Sequence, residues 1–474
     1  MASSLHRLAR FARHELEQLR YPLPRWTLPH RGPDGKPLLD ALIVGGGMLG
    51  QTAAFALRRE GVTNLRCVDR APKGLEGPWK TFARMDILRS PKHLTGPDLG
   101  VAALTYRAWH EAKFGAAHWK RLHKIDRVEW ANYVMWVREV AKLPVENGLG
   151  VKRLELLNGG VKAILMNGKS IYSRKVVLAM GREGSGAARW PALETFDPEK
   201  PRPNVFHSAD DIDFRSLKGK AVAVLGAGAS AFDNAATALE AGAKSVTMFA
   251  RRRQLPQVNK SKWASFPGFF HGYWALDDRR RWRFTTHIFS EQVPPPYESV
   301  LRVEKFKGFE LRLGEGWKDV VPGKPVRVKT SKNAYAFDAA IVCTGFDVNL
   351  TERPEVAPFR DAIATWRDRI SKAEARKFPE ESRFPYLGDS FQLQGKHPAL
   401  SRIHVFNWGV TMSHGALAGD IPGIETGARR LAQGIVRDLF VEDSDCYFKQ
   451  LQKHNEDELR PTRYFVPLVD RRAD

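Results

Sequence analysis

The chain has 474 residues, enough for two or three domains with cores of their own, and 43% hydrophobic with 10% aromatic residues marks it as globular rather than disordered. Its formal net charge is +22, densest at Arg251-Arg252-Arg253 and Arg279-Arg280-Arg281, yet no nucleic-acid-binding motif accompanies it, so neither nucleic acid nor a membrane surface is the expected partner. The three cysteines, Cys67, Cys343 and Cys446, form no CxxC pair, which argues against dithiol redox chemistry and metal clusters and fits a reducing, cytoplasmic setting.

Residues 1–38 read as an appendage. Leu5, Leu8, Phe11, Ala12, Leu16 and Leu19 fall at helical spacing and predict an amphipathic helix, followed by a turn-rich stretch from Pro29 to Pro37. Such a helix docks on the protein or a partner subunit, or touches a membrane surface. Glu15 and Glu17 argue against a transit peptide, and no stretch approaches the ~18–20 apolar residues of a membrane span.

The apolar run Ala41-Leu42-Ile43-Val44 leads directly into Gly45-Gly46-Gly47-Met48-Leu49-Gly50, which predicts a strand, a tight turn and a helix. Gly45 permits the turn, Gly47 lets backbone approach a pyrophosphate, and Gly50 lets the helix pack on the strand. Met48 and Leu49 open a helix whose N-terminus offers unpaired N–H groups to phosphate. The next strand, Leu65 to Val68, runs into Asp69, 24 residues beyond Gly45, with Arg70 after it. An acid there accepts hydrogen bonds from a ribose diol, which suits FAD or NAD(H); the alternative is that Asp69 caps a turn. A meander follows at Val151–Leu157, Gly160–Met166 and Lys169–Tyr172, closing on a strand from Val176 to Gly181.

A second turn of the same grammar, Gly226-Ala227-Gly228-Ala229-Ser230-Ala231, follows Ala221–Leu225. Its second strand, Ser245–Ala250, ends in Arg251-Arg252-Arg253 with no acid. A guanidinium there clamps a 2′-phosphate, which selects NADPH; the alternative is a solvated basic surface. A second meander spans Phe309 to Ala336 and closes on Ala339–Gly345, before a last strand at Ile403–Phe406 and a helix from about Ile424 to Phe440. The expected fold is α/β: two Rossmann-like dinucleotide-binding domains, with an FAD domain (39–210 and 346–474) interrupted by an NADPH domain (211–345).

With both turns in place, the sequence resembles the single-component, FAD-containing, NADPH-dependent monooxygenases, and within them the lysine and ornithine N-hydroxylases. Cys343-Thr344-Gly345-Phe346 resembles the alanine-threonine-glycine motif at the family's interdomain linker. Arg127 with Tyr133 and Trp136, His207-Ser208, Phe384 to Gly388, and His414-Gly415 match further family segments. The sequence departs from the family at Pro203, where a glycine is expected, at Met85-Asp86 in place of Met-Gln, and at Pro296 in place of a substrate-binding asparagine.

The resemblance implies hydride transfer from NADPH to FAD, then oxygenation of a nucleophilic small molecule by a flavin C4a-(hydro)peroxide, with N-hydroxylation foremost. The alternative is an NADPH-dependent FAD oxidoreductase relaying electrons without oxygen insertion. The resemblance places Lys92, His93 and Asn259 near the flavin or substrate and Trp79 along the FAD. Three of these have a plainer role open to them: Lys92 solvated, Asn259 capping the segment 260–263, Trp79 in the core. The implied partners are a small-molecule substrate and dioxygen, with no metal, and a homo-oligomer is compatible with the sequence.

Overall fold

The computed structural model describes residues 4–93, 96–456, 458–459 and 462–464. The first three residues of the N-terminal appendage and the remainder of the C-terminal tail lie outside the described residues.

Two parallel sheets carry the fold. In the first, β1 (Leu39–Val44), β2 (Leu65–Val68), β3 (Val145–Glu146) and β6 (Ser170–Leu178) run in the order β3-β2-β1-β6. The far edge of β6 is shared. Its first half pairs antiparallel with β5 (Gly160–Leu165), which pairs with β4 (Val151–Leu157), while Val176–Leu178 pairs parallel with β15 (Ile403–Val405). The second sheet is wholly parallel, in the order β10 (Phe309–Leu313), β9 (Ser245–Ala250), β8 (Ala221–Leu225), β14 (Ala339–Val342) and β7 (Val205–His207). A small antiparallel sheet of β11 (Trp317–Val321), β12 (Val326–Thr330) and β13 (Ala334–Phe337) packs through Trp317 and Phe337 onto Phe249 of β9.

Three features differ from the sequence reading. β6 is one strand of nine residues, although Ser173-Arg174-Lys175 reads as a break between two strands. All three side chains are buried, and the two cations are neutralised from the long helix Ile424–Glu442 and its cap: Arg174 by Asp443 at 2.8 Å, Lys175 by Asp438 at 3.1 Å. A buried cation survives in a strand when it is paired. Phe309–Leu313, expected in the second meander, is an edge strand of the second parallel sheet. That sheet also takes in β7 from Val205, ahead of the expected boundary at 211.

The first sheet carries the largest core. Helix α2 (Met48–Arg59) is buried along most of its length, with Ala53, Ala54, Phe55 and Leu57 inaccessible or nearly so, and the helix Ile424–Glu442 packs against it. Helix α1 (Ser4–Gln18) docks on the protein by Ala9, Ala12 and Leu16, against the helices Tyr106–Phe114 and Arg127–Val140. Phe11 of this helix and Leu19 just after it remain exposed. No helix among the described residues is long and apolar enough to cross a membrane.

Candidate functional site

In a parallel sheet, ligands collect at the carboxyl ends of the strands, where the chain reverses and helix N-termini gather. Across the first sheet those ends are Asp69 after β2, Gly45 to Gly47 after β1, Met180 to Arg182 after β6, and Phe406 to Trp408 after β15.

The glycines of the first turn do different work. Gly45 has φ +104, and a Cβ on it would lie 2.5 Å from the Ala179 carbonyl oxygen; a Cβ on Gly50 would lie 1.8 Å from the oxygen of Gly45. Both are required by packing alone. Gly47 is different, since the nearest atom to its absent Cβ is the nitrogen of Gly77 at 3.8 Å. It leaves a gap rather than closing a contact. Gly47 is also the N-cap of α2 and supplies no capping side chain, whereas Asp126 and Asp277 cap the helices that follow them. The first-turn N–H groups of α2, opened by Met48 and Leu49, therefore have no side-chain acceptor. The Asp69 carboxylate ties this turn to β2, accepting from the amides of Gly46 (2.6 Å) and Ala71 (2.7 Å). Arg70 reaches Glu183 across the crevice at 3.4 Å.

The second turn repeats the arrangement. Gly226 has φ +123, and its Cβ would meet the Cys343 oxygen at 2.7 Å, while nothing lies within 4 Å of a Cβ on Gly228. Gly228 caps the helix Ala229–Glu240 without a side-chain bond, and Ala229 and Ser230 are half-exposed at its start. Beyond β9, Arg251 borders a cavity of about 600 Å³ shared with Leu193, Glu194, Gly314 and Lys318. The Arg252 carbonyl is fixed by the Gly314 amide. FAD at the first turn and NADPH at the second fit these features: both turns keep an open glycine in front of an uncapped helix, and an acid follows one while a guanidinium at a cavity follows the other.

Two linkers join the sheets and lie side by side. Thr344 donates its hydroxyl to the Arg189 carbonyl, the Arg189 amide donates to Gly345 (2.9 Å), and the Asp347 amide to Ala187 (2.9 Å). Beyond them the first sheet's loops meet the helix Tyr297–Glu304 around a cavity of about 180 Å³. Met85-Asp86 and Pro296, two of the three places at which the chain departs from the family pattern, line it. Arg302 spans this junction, bonding the Arg84 carbonyl (3.0 Å) and Glu240 (2.7 Å) and lying 3.2 Å from Asp86. Glu298 bonds Lys124 (2.5 Å) and His123 (3.0 Å). Burial pushes the Glu298 carboxyl up, but these two partners outweigh it and hold it at about 2. Nothing in the local sequence signals this latch, because its halves are more than 170 residues apart.

Other residues singled out from the sequence have defined partners. Lys92 donates to the carbonyls of Trp119 (2.6 Å), Leu122 (2.6 Å) and Lys120 (3.4 Å), closing the end of the helix Ala116–Arg121. Its three N–H donors are thus taken by backbone, which does not suit a role at a flavin. His93 is exposed and edge-on to Trp119. Asn259 caps Lys260–Trp263, accepting from the Lys262 amide at 3.1 Å. Trp79 is half-buried, and its carbonyl accepts from Arg127. His414 is buried between Trp274, stacked at 4.6 Å, and Phe391, with Nε2 on the Gly388 carbonyl (2.8 Å) and Nδ1 facing Arg430 (3.2 Å). Burial and Arg430 push its pKa well down, so it is a neutral part of the wall, and Gly415 follows with φ +69 against Phe269. Cys67 and Cys343 belong to different sheets, and burial raises both thiols far above their ordinary range. Among the described residues no group of three or more His, Cys, Asp or Glu is placed to hold a metal.

Comparison with known proteins agrees with this geometry. The family profile described as pyridine nucleotide-disulphide oxidoreductase matches residues 42–265. A FAD-dependent urate hydroxylase of Xanthomonas campestris pv. campestris is 36% identical over 447 residues, covering 93% of this chain and 94% of that protein. The ornithine hydroxylase of Pseudomonas aeruginosa has the same fold, with a TM-score of 0.66 at 15% identity over 85% of this chain and all of that one. So does the L-lysine 6-monooxygenase of Pseudomonas syringae, with a TM-score of 0.65 at 17% identity over 84% of this chain and 99% of that one.

Proposed function

The chain belongs to the NADPH-dependent FAD monooxygenases, and on that premise we propose that its substrate is urate or a closely related oxopurine, hydroxylated at the expense of dioxygen. The observation that carries this reading is the 36% identity to a urate hydroxylase across 93% of the chain. The N-hydroxylation of an amino acid implied by the motif resemblance has weaker support. The N-hydroxylases of like fold share only 14–17% identity, and Pro296 stands where that family's substrate-binding asparagine is expected.

FAD, when bound, supplies the chemistry by accepting hydride from NADPH and activating dioxygen. The chain's own part is to hold and orient. In this reading Gly45, Gly47 and the N-terminus of α2 receive the FAD pyrophosphate and Asp69 its ribose. Gly226, Gly228 and the helix Ala229–Glu240 receive the NADPH pyrophosphate, with Arg251 and Arg252 at its 2′-phosphate. Arg302 and Glu298 hold the two nucleotide turns in one relative position. The organisation that goes with it is an FAD domain of 39–210 and 346–474 around an NADPH domain of 211–345, with β7 drawn into the latter. Three free cysteines fit a cytoplasmic location.

The test is to supply FAD-loaded protein with NADPH, air and urate, and to follow urate, NADPH and oxygen together. Equal consumption of all three, with ornithine and lysine untouched, is the expected result. NADPH oxidation that releases only hydrogen peroxide and leaves urate intact would overturn the substrate assignment.

A further inference from the structure

Arg182 occupies a telling place in the first sheet's crevice. It follows the carboxyl end of β6, between β1, which carries the FAD turn, and β15. Asp69, at the ribose end, lies on the other side of the turn. Along this crevice Arg182 is therefore beyond the pyrophosphate, away from the ribose and towards the end where a flavin ring and a substrate would meet.

Its backbone is fixed from behind. Gly181, with φ +66, turns the chain out of β6. Ser185 donates to Asn407 Oδ1 (3.0 Å), and Arg353 donates to the carbonyls of Glu183 (3.2 Å) and Gly186 (3.1 Å). The side chain is fixed too, with its guanidinium carbon 4.0 Å from the ring centroid of Trp408, the residue that leads the chain away from β15. Phe289 lies near-parallel to that indole at 6.4 Å.

What the guanidinium lacks is an acceptor. Among the described residues none of its N–H groups has a hydrogen-bond partner, and the carboxylate of Asp420 stands off at 3.8 Å. Half of the side chain is exposed. Burial lowers its pKa and Arg89 adds to this, while the Asp420 carboxylate opposes both. An arginine held over an indole, with its donor edge free, can present two parallel N–H groups to a planar acceptor.

We propose that Arg182, held on Trp408, is the substrate clamp: it pairs bidentately with adjacent carbonyl and ring-nitrogen acceptors of an oxopurine anion. The same geometry lets arginine read guanine in DNA. The inference rests on the oxopurine reading given above. It adds the residue that recognises negative charge and planarity together, and it separates this site from one built for a cationic amine.

The experiment measures urate binding to oxidised, FAD-loaded protein by the perturbation of flavin absorbance, at low and high NaCl, for wild type, Arg182→Gln and Arg182→Lys. FAD content, NADP⁺ affinity and melting temperature are measured in parallel. The expected result is a urate Kd raised about tenfold or more in Arg182→Gln, the loss of one charge-assisted bidentate pair. Its salt dependence should be flattened, Arg182→Lys should recover the charge but only part of the affinity, and FAD content and NADP⁺ affinity should stay at wild-type values. Unchanged urate affinity in Arg182→Gln overturns the clamp and leaves the oxopurine reading standing. Loss of FAD or of NADP⁺ affinity in both variants also overturns it, by making Arg182 a cofactor anchor. Wild-type protein that neither binds nor hydroxylates urate overturns the oxopurine reading and the clamp with it.

Discussion

Gly228→Ala separates a glycine that the fold needs from one that a ligand needs. Gly228 has φ −89 and ψ −174, which alanine adopts freely, and no atom lies within 4 Å of the Cβ it would gain. The variant should fold as the wild type does, with a stability change inside about 0.5 kcal/mol. The volume it fills is the volume in which a pyrophosphate would approach the helix N-terminus. A phosphate oxygen hydrogen-bonded to backbone N–H lies ~3 Å from nitrogen, and a methyl group beside that nitrogen forces it back. Losing one or two charge-assisted hydrogen bonds costs about 1.5–3 kcal/mol, so KM for NADPH should rise roughly 10- to 100-fold. Gly226→Ala is the contrast. Its φ is +123 and its Cβ would sit 2.7 Å from the Cys343 oxygen, so left-handed strain and overpacking together should remove about 2–5 kcal/mol of stability. Melting temperature and KM for NADPH, measured on both FAD-loaded variants, decide the matter. If Gly228→Ala melts early while its KM stays at the wild-type value, the second turn is not a nucleotide cradle.

Arg251→Ala should raise KM for NADPH about tenfold and leave KM for NADH unchanged, since only the former carries a 2′-phosphate; the ratio of kcat/KM for the two coenzymes reads this directly. Lys92→Met, which strips the end of the helix Ala116–Arg121 of its cation, should lower stability by about 1–2 kcal/mol while kcat per FAD-loaded molecule is kept; a large loss of kcat at unchanged melting temperature would return Lys92 to the flavin. Glu298→Gln probes the latch through pH. The folded carboxyl, at about 2, lies below its ordinary 4.5, so its stabilisation is fully present above pH 4.5 and is lost as pH falls towards 2. The variant should be less stable by about 1 kcal/mol at pH 7, after discount for solvent screening, and the gap in melting temperature should narrow steadily below pH 4.5; a gap that is constant with pH would refute the ionic account.

The two glycine-rich turns are legible because their backbone requirements are local. A positive φ at Gly45 and Gly226, and room in front of Gly47 and Gly228, are set by a handful of consecutive residues and leave a pattern that can be read without the fold. The strand β6 was harder, because whether Arg174 and Lys175 end a strand or sit buried inside it depends on Asp443 and Asp438, more than 250 residues later. Lys92 and Asn259 show a different limit. Residue type and spacing named groups able to meet a flavin, but the direction of a side chain depends on which acceptors or donors come closest, and here those are the Trp119 and Leu122 carbonyls and the Lys262 amide.

Arg182 marks the furthest point of that limit, and the reason is topological. Its neighbours in sequence, Gly181 and Glu183, say only that a strand has ended. Its significance comes from β15, which pairs with the second half of β6 and brings Trp408 beneath its guanidinium after a detour of more than 200 residues through the second sheet. That detour also returns the chain along its own outgoing path, where the Arg189 amide meets Gly345. The same detour thus builds the second glycine-rich turn and delivers the wall of the crevice beside the first. The second strand pairing of β6 gives the chain an indole platform under an arginine that, among the described residues, has no hydrogen-bond acceptor. If Arg182 and Trp408 form the substrate wall as proposed, substitutions at these two positions would alter the substrate while both glycine-rich turns stay as they are.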